Sequence, residues 1–400
     1  MIGKHHIPLS NFSISKEGKK LVNKVLDTNR LTYGPYTSRF EKQFATLHGV
    51  KYALFCNSGT SALQVAIDAM KKLNHWADGD EILVPAITFI ASSNAVIHNN
   101  LTPVFVDVDP TYYTIDPTKI EAKITPRTRA IMPVHLFGQS CDMGAISALA
   151  KKYQLLIIED ACEALFTRYK KKLVGSLSDV AIFSTYAAHT ITTGVGGIVV
   201  TDNEDIASVA KSLIFHGRDA IYHTIDDDDT NQPLKLVSLI ERRFHFPYIG
   251  YSFRLTEMEA ALGLAQLSQK NTLVKGRINV VHELTKILSP FADKLQTPAI
   301  RKDTSPVFML YPLVIIDKAI DRDDLLLFLE KHGIETRLFF PLLSQPIYKK
   351  LFGDQQRHYP IAKMLVERGF IIGCHPYIKH IDCVYINQVF SQFFKKSETA

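Results

Sequence analysis

Short apolar runs recur along the first two-thirds of the chain, separated by segments with helical spacing. The runs are Lys51–Cys56, Glu81–Pro85, Pro103–Val108, Arg129–His135, Leu155–Glu159, Val180–Ser184 and Gly197–Thr201. Several lack polar alternation, which suits strands covered on both faces of a parallel sheet. Between them, Ser61–Lys72 and Met143–Tyr153 read as helices. This βαβ rhythm predicts an α/β layered sheet with helices on both faces. The pattern changes after about residue 215. The stretch Gly217–Tyr248 is polar and irregular, and a long helix is expected from Thr256, where Thr256 and Glu259 match a capping box. Further on, Val307–Ile316 and Gly369–Gly373 read as strands and Arg322–His332 as a helix. The expected organisation is a large α/β domain over 1–255 and a smaller α+β domain over 256–400, with no internal repeat.

Composition narrows the class without naming a chemistry. Apolar residues make up 46% of the 400 and charged residues 22%, which excludes a mostly disordered chain. No apolar run is long enough to span a bilayer, and the first residues, MIGKHHIPLSNFS, lack a hydrophobic signal core, so a cytoplasmic protein is expected. The net charge of +6 is a weak bias at this length and does not call for nucleic acid. The run Asp226–Asp229 lacks the spaced ligands of a calcium loop and reads as a solvated loop. The 5 cysteines, Cys56, Cys141, Cys162, Cys374 and Cys383, form no C-x-x-C pair. That pattern fits free thiols and speaks against structural zinc and a Cys-ligated iron–sulfur cluster.

Candidate chemistry gathers on the loops that follow the strands, which is where ligands bind an open α/β sheet. Asn57-Ser58-Gly59-Thr60-Ser61 opens a helix, so it is either an anion site or a plain turn with an N-cap. Asp160 ends LLIIED and either holds a proton on a heterocyclic nitrogen or caps the next helix. Phe89 either stacks on a planar ligand or fills the core. Ser184 ends a strand, His189 follows five residues later, and Gly194-Val195-Gly196-Gly197 precedes the next strand. A hydroxyl there suits phosphate, and the imidazole either reaches back over the same pocket or is structural, while the Gly pattern also serves a plain tight turn before a strand.

With NSGTSAL at 57–63, Phe89, EDA at 159–161 and the spaced Ser184, His189 and GVGG, the chain resembles the nucleotide-sugar aminotransferases of the DegT/DnrJ/EryC1/StrS family. VHLFGQ at 134–139, GYSFRLTEMEAALGLAQL at 250–267 and GIETR at 333–337 match as well. The resemblance implies the fold type I architecture of pyridoxal-phosphate (PLP) enzymes: a seven-stranded, mostly parallel sheet and a smaller C-terminal domain. It departs at one decisive position. Family aminotransferases carry a lysine five residues after the serine, as covalent anchor and proton shuttle. Here that position is His189, and no lysine occurs between Lys172 and Lys211. The exchange resembles the sugar 3-dehydratase subgroup of the family. The stretch HGRD at 216–219 resembles its cluster-dependent branch, but residues 163–373 hold no cysteine for an iron–sulfur cluster.

The resemblance therefore implies a lyase that removes the C3 hydroxyl of a 4-keto-6-deoxy nucleotide sugar. Glutamate is the implied amino donor, and PLP or pyridoxamine phosphate (PMP) is held without a covalent bond. His189 is the implied acid and base. Gly59, Thr60 and Ser184 are implied at the phosphate, Phe89 on the ring face and Asp160 at the ring nitrogen. Glu163 stands at the ring hydroxyl where many relatives have Gln, and Ser252 where the family has an Asn that reaches the phosphate of a partner subunit. A homodimer with shared sites is implied. By their chemistry, Arg218, Arg254 and Arg337 are either forks for a substrate diphosphate or surface residues in structural ion pairs. Phe339-Phe340-Pro341 and Gln345-Pro346 look more like the aminotransferase branch. An aminotransferase-like enzyme and a catalytically silent PLP-binding regulator are the alternatives. No metal, nucleic acid or membrane partner is expected.

Overall fold

The computed structural model describes residues 5–219, 237 and 244–398. The acidic run at 226–229 lies outside the described residues. The large sheet is built from β1 (Tyr52–Cys56), β2 (Glu81–Pro85), β3 (Thr102–Val106), β4 (Thr128–Ile131), β5 (Leu156–Asp160), β6 (Val180–Ser184) and β7 (Gly197–Thr201). It has 7 strands in the order β1-β7-β6-β5-β4-β2-β3. All neighbours are parallel except β7, which runs antiparallel to both β1 and β6. The expected strand Arg129–His135 stops at Ile131, because Pro133 brings no N–H to the ladder and the chain turns into the VHLFGQ loop.

The unalternating strands are buried on both faces, as their sequence requires. On one face, Leu54, Cys56, Val180, Ile182 and Val199 pack with α3 (Gly59–Leu73), α4 (Ile90–His98) and α6 (Glu204–Ile214). On the other, Ala53, Phe55, Ala181, Phe183, Ile198 and Val200 pack with α2 (Pro35–His48) and α7 (Glu257–Ser268). Alternate residues of one strand thus serve opposite helical layers. Helix α1 (Lys16–Thr28) lies on α7, and α5 (Met143–Tyr153) follows the VHLFGQ loop. Helix α7 opens with the expected capping box of Thr256 and Glu259. It packs on α1 and α2.

Beyond it, α8 (Lys270–Leu288) leads into a second sheet of 4 antiparallel strands: Leu295–Gln296, Leu310–Ile315, Gly369–Gly373 and Thr336–Leu338, in that order. Its core runs through Leu284, Leu313, Ile315, Leu325, Leu329, Ile371 and Phe390. The same apolar cluster takes in Ala86, Ile87, Leu136 and Phe137, so this smaller layer rests against the C-terminal edge of the large sheet. Among the described residues no helix is long and apolar enough to cross a membrane.

Candidate active site

The C-terminal ends of β1, β2, β5 and β6 converge on one cavity of about 420 Å³. Gly59, Thr60, Phe89, Asp160, Glu163, Ser184 and His189 all line it. Met309, Leu310 and Phe340 close it from the smaller layer. None of the described lining residues is a lysine or an arginine.

Each side chain is placed by a local device. Ser58 caps α3, its hydroxyl accepting from Ser61 N at 3.0 Å, so the plain N-cap reading holds. The helix terminus still faces the cavity through Gly59 and Thr60. A Cβ on Gly59 would stand 2.9 Å from Ser184 Cβ and 3.1 Å from Cys162 Sγ, so glycine lets backbone and Ser184 approach closely. The helix N-terminus and a nearby hydroxyl suit a phosphate. Phe89 is the residue before α4 and is 55% exposed, so its ring is not a core filler. Asp160 accepts from Ser92 Oγ at 2.7 Å and from Cys162 N at 3.2 Å.

His189 sits on the loop joining β6 to the antiparallel β7. The loop is closed at its base by Thr193 N to Thr185 O at 2.9 Å and Thr185 N to Gly196 O at 3.0 Å. His189 Nδ1 lies 2.7 Å from the Cys162 carbonyl oxygen. A carbonyl only accepts, so Nδ1 carries the proton and Nε2 keeps its lone pair. Burial is the main cause that pulls the imidazole down to about 4; the Cys162 carbonyl opposes it and the Arg277 guanidinium adds to it. At neutral pH the ring is therefore a neutral base.

Glu163 is perturbed the other way. Burial pushes its carboxyl up to about 8, the Phe137 N–H opposes this, and the Asp160 carboxylate adds to it. Near neutrality it is a protonated acid, electrostatically equivalent to a Gln side chain. Its Oε2 accepts from Phe137 N at 2.7 Å. Burial raises the Cys162 thiol well above its ordinary value, so this lining cysteine stays protonated.

The remaining predicted residues lie elsewhere. Arg254 Nη2 donates to Ser252 Oγ and to His216 Nε2, both at 3.0 Å, and both Ser252 and Arg254 are exposed. Arg218 stands over the Phe246 ring at 5.6 Å. Arg337 pairs with Glu335 at 2.5 Å, exposed in the strand Thr336–Leu338. None of the four lines the cavity of this chain. Sequence reasoning missed Thr88 and Ser92, two buried hydroxyls that do line it. Their only signal was a pair of hydroxyls four apart, Thr88 and Ser92, flanking Phe89.

The residues present fit a phosphorylated aromatic heterocycle. A helix N-terminus faces the cavity with Ser184, a phenyl face is open to it, and a hydrogen-bonded carboxylate lines its wall. The model of the DegT/DnrJ/EryC1/StrS aminotransferase family matches residues 13–390. The chain belongs to that family. GDP-perosamine synthase from Caulobacter vibrioides is 38% identical over 323 residues, covering 80% of this chain and 81% of the relative. A dTDP-4-dehydro-2,6-dideoxy-D-glucose 3-dehydratase from Saccharopolyspora spinosa is 31% identical over 386 residues, covering 92% and 82%. Among solved structures, E. coli GDP-4-keto-6-deoxy-D-mannose-3-dehydratase with bound hydrated PLP superposes with a TM-score of 0.86 at 25% identity, covering 96% and 100%. The chain is thus an enzyme of a PLP-dependent family with the expected fold, and its relatives include both synthases of amino sugars and 3-dehydratases.

Proposed function

We propose that the chain is a PLP/PMP-dependent 3-dehydratase of a 4-keto-6-deoxy nucleotide sugar, with glutamate as amino donor. The observation that carries this reading is His189, an imidazole at the family's lysine position, in a cavity where no described lining residue is a lysine. When bound, the cofactor supplies an amine and an electron sink. The chain supplies position and proton control. The α3 terminus with Gly59, Thr60 and Ser184 binds the phosphate, and Phe89 covers the ring face. Asp160 holds the proton at the ring nitrogen. Glu163, neutral at pH 7, faces the ring hydroxyl. His189 takes a proton at Nε2 and returns one to the C3 hydroxyl as it leaves, since water departs more easily than hydroxide.

An amine at position 189 would compete for the cofactor and complete a transamination; an imidazole does not. The exposed Ser252 and Arg254 and the half-buried Arg218 belong, in this reading, to the cavity of a second subunit of a homodimer. Arg337 would then meet substrate only at the outer rim.

A second reading, transamination, is favoured by the perosamine synthase relative and by Phe340, which comes from the Phe339-Phe340-Pro341 segment and lines the cavity. One experiment separates the readings. The protein is mixed with PLP, glutamate and a panel of 4-keto-6-deoxy nucleotide sugars. A dehydratase releases ammonia and 2-oxoglutarate together with a 3-deoxy-4-keto product. An aminotransferase yields a 4-amino sugar and no ammonia. Turnover of no sugar sinks both and leaves the regulator.

A further inference from the structure

Two hydroxyls stand behind Asp160. Ser92 Oγ donates to Asp160 Oδ2 at 2.7 Å, and Thr88 Oγ1 lies 2.7 Å from Ser92 Oγ. A hydroxyl that gives its proton to a carboxylate can only accept from the next hydroxyl, so the donors run from Thr88 to Ser92 to Asp160. Thr88 and Ser92 are each 1% exposed and Asp160 is 5% exposed, and all three line the cavity. The other Asp160 oxygen accepts from Cys162 N at 3.2 Å. With one oxygen tied to the first turn of α4 and the other to the turn after β5, the carboxylate is fixed against rotation.

The same bond does a second job. Thr88 and Ser92 flank Phe89, whose ring is open to the cavity. Their hydroxyl contact spans the turn that presents the ring, and Ser92 N also donates to Phe89 O at 3.2 Å. Ring-face contact and carboxylate orientation are therefore set by one short segment.

We propose that Ser92, supported by Thr88, is a positioning residue: it aims the Asp160 carboxylate at the ring nitrogen of the cofactor while the same segment holds Phe89 over the ring. This rests on the PLP reading above. The consequence is that Ser92, which touches no reacting atom, controls how firmly the ring nitrogen keeps its proton.

The test uses full-length protein loaded with PLP. Equilibrium binding and the pH dependence of the bound cofactor's absorbance are recorded for wild type, Ser92→Ala, Ser92→Thr and Thr88→Val. A hydrogen bond to a charged group is worth about tenfold or more in an equilibrium constant. Ser92→Ala should bind PLP about tenfold more weakly, and its ring-nitrogen transition should move down by about one pH unit as the carboxylate loses its aim; an upward move, which loss of a donor to Asp160 gives without reorientation, would overturn the proposal. Ser92→Thr should behave as wild type. Thr88→Val should move both quantities in the same direction by less, and it carries the test if Ser92→Ala does not fold. Weaker binding with an unmoved transition would reduce Ser92 to packing and overturn the proposal. So would an Ala variant indistinguishable from wild type; in both cases the PLP reading survives. A wild-type protein that binds no PLP overturns both.

Discussion

Glu163 offers a prediction with a definite sign and size. Its carboxyl is held at about 8 against an ordinary 4.5, chiefly by burial. The folded chain therefore keeps a proton that the unfolded chain gives up above about 4.5. Between the two values the native state binds more protons than the unfolded state, so stability falls as pH rises. At about 1.4 kcal/mol per pH unit, the loss is on the order of 3 kcal/mol at pH 7 and 5 kcal/mol above pH 8. Glu163→Gln removes the ionisation and keeps an oxygen to accept from Phe137 N. The variant should match wild type near pH 4.5 and gain on it steadily up to pH 8. Urea unfolding of cofactor-free protein, followed by the fluorescence of Trp76, reports this directly; the chain has 1 Trp, buried in the large domain. A gap that does not change with pH, or a variant less stable than wild type at pH 8, would refute the reasoning.

His189→Lys should give an adduct with PLP that borohydride reduces to a stable covalent bond, detected as a mass increase; no adduct would mean that position 189 does not face the cofactor. With His189 at about 4, dehydratase kcat/KM should stay level from pH 7 down to pH 5.5 and fall only as pH approaches 4. A fall centred near 6.5 would mean that the imidazole is unperturbed. Gly59→Ala should weaken PLP binding about tenfold or more, because its Cβ would stand 2.9 Å from Ser184 Cβ and force the α3 terminus back. Unchanged binding, measured by equilibrium titration, would remove this terminus from the phosphate site.

The large sheet was legible because its strands are buried on both faces, and their apolar runs stand out between helical segments. Direction was not. β7 reads GIVVT, as apolar as the parallel strands of the sheet, and nothing in such a run records that it returns antiparallel between β1 and β6. The hairpin Arg168–Tyr169 and Lys172–Leu173 was invisible, since paired two-residue strands have no periodicity. In the site, Asp160 read equally well as a helix cap and Phe89 better as a core residue, and only the structure shows that both line one cavity with Ser184. Thr88 and Ser92 were missed because their partner, Asp160, is far away in sequence. Arg218, Arg254 and Arg337 were chosen by charge type alone, which does not say on which side of the chain a long side chain ends.

The loop that carries His189 is tied at its neck by Thr185, Thr193 and Gly196, all through groups other than the imidazole. Among the described residues, the side chain at 189 makes one hydrogen bond, to Cys162 O, and an edge contact with the Tyr186 ring. Its identity is therefore almost uncoupled from the folding of the loop, like a bit held in a chuck. One scaffold can therefore present an amine or an imidazole at this tip without rebuilding the neck of the loop, and under the reading proposed above that exchange alone separates two reactions.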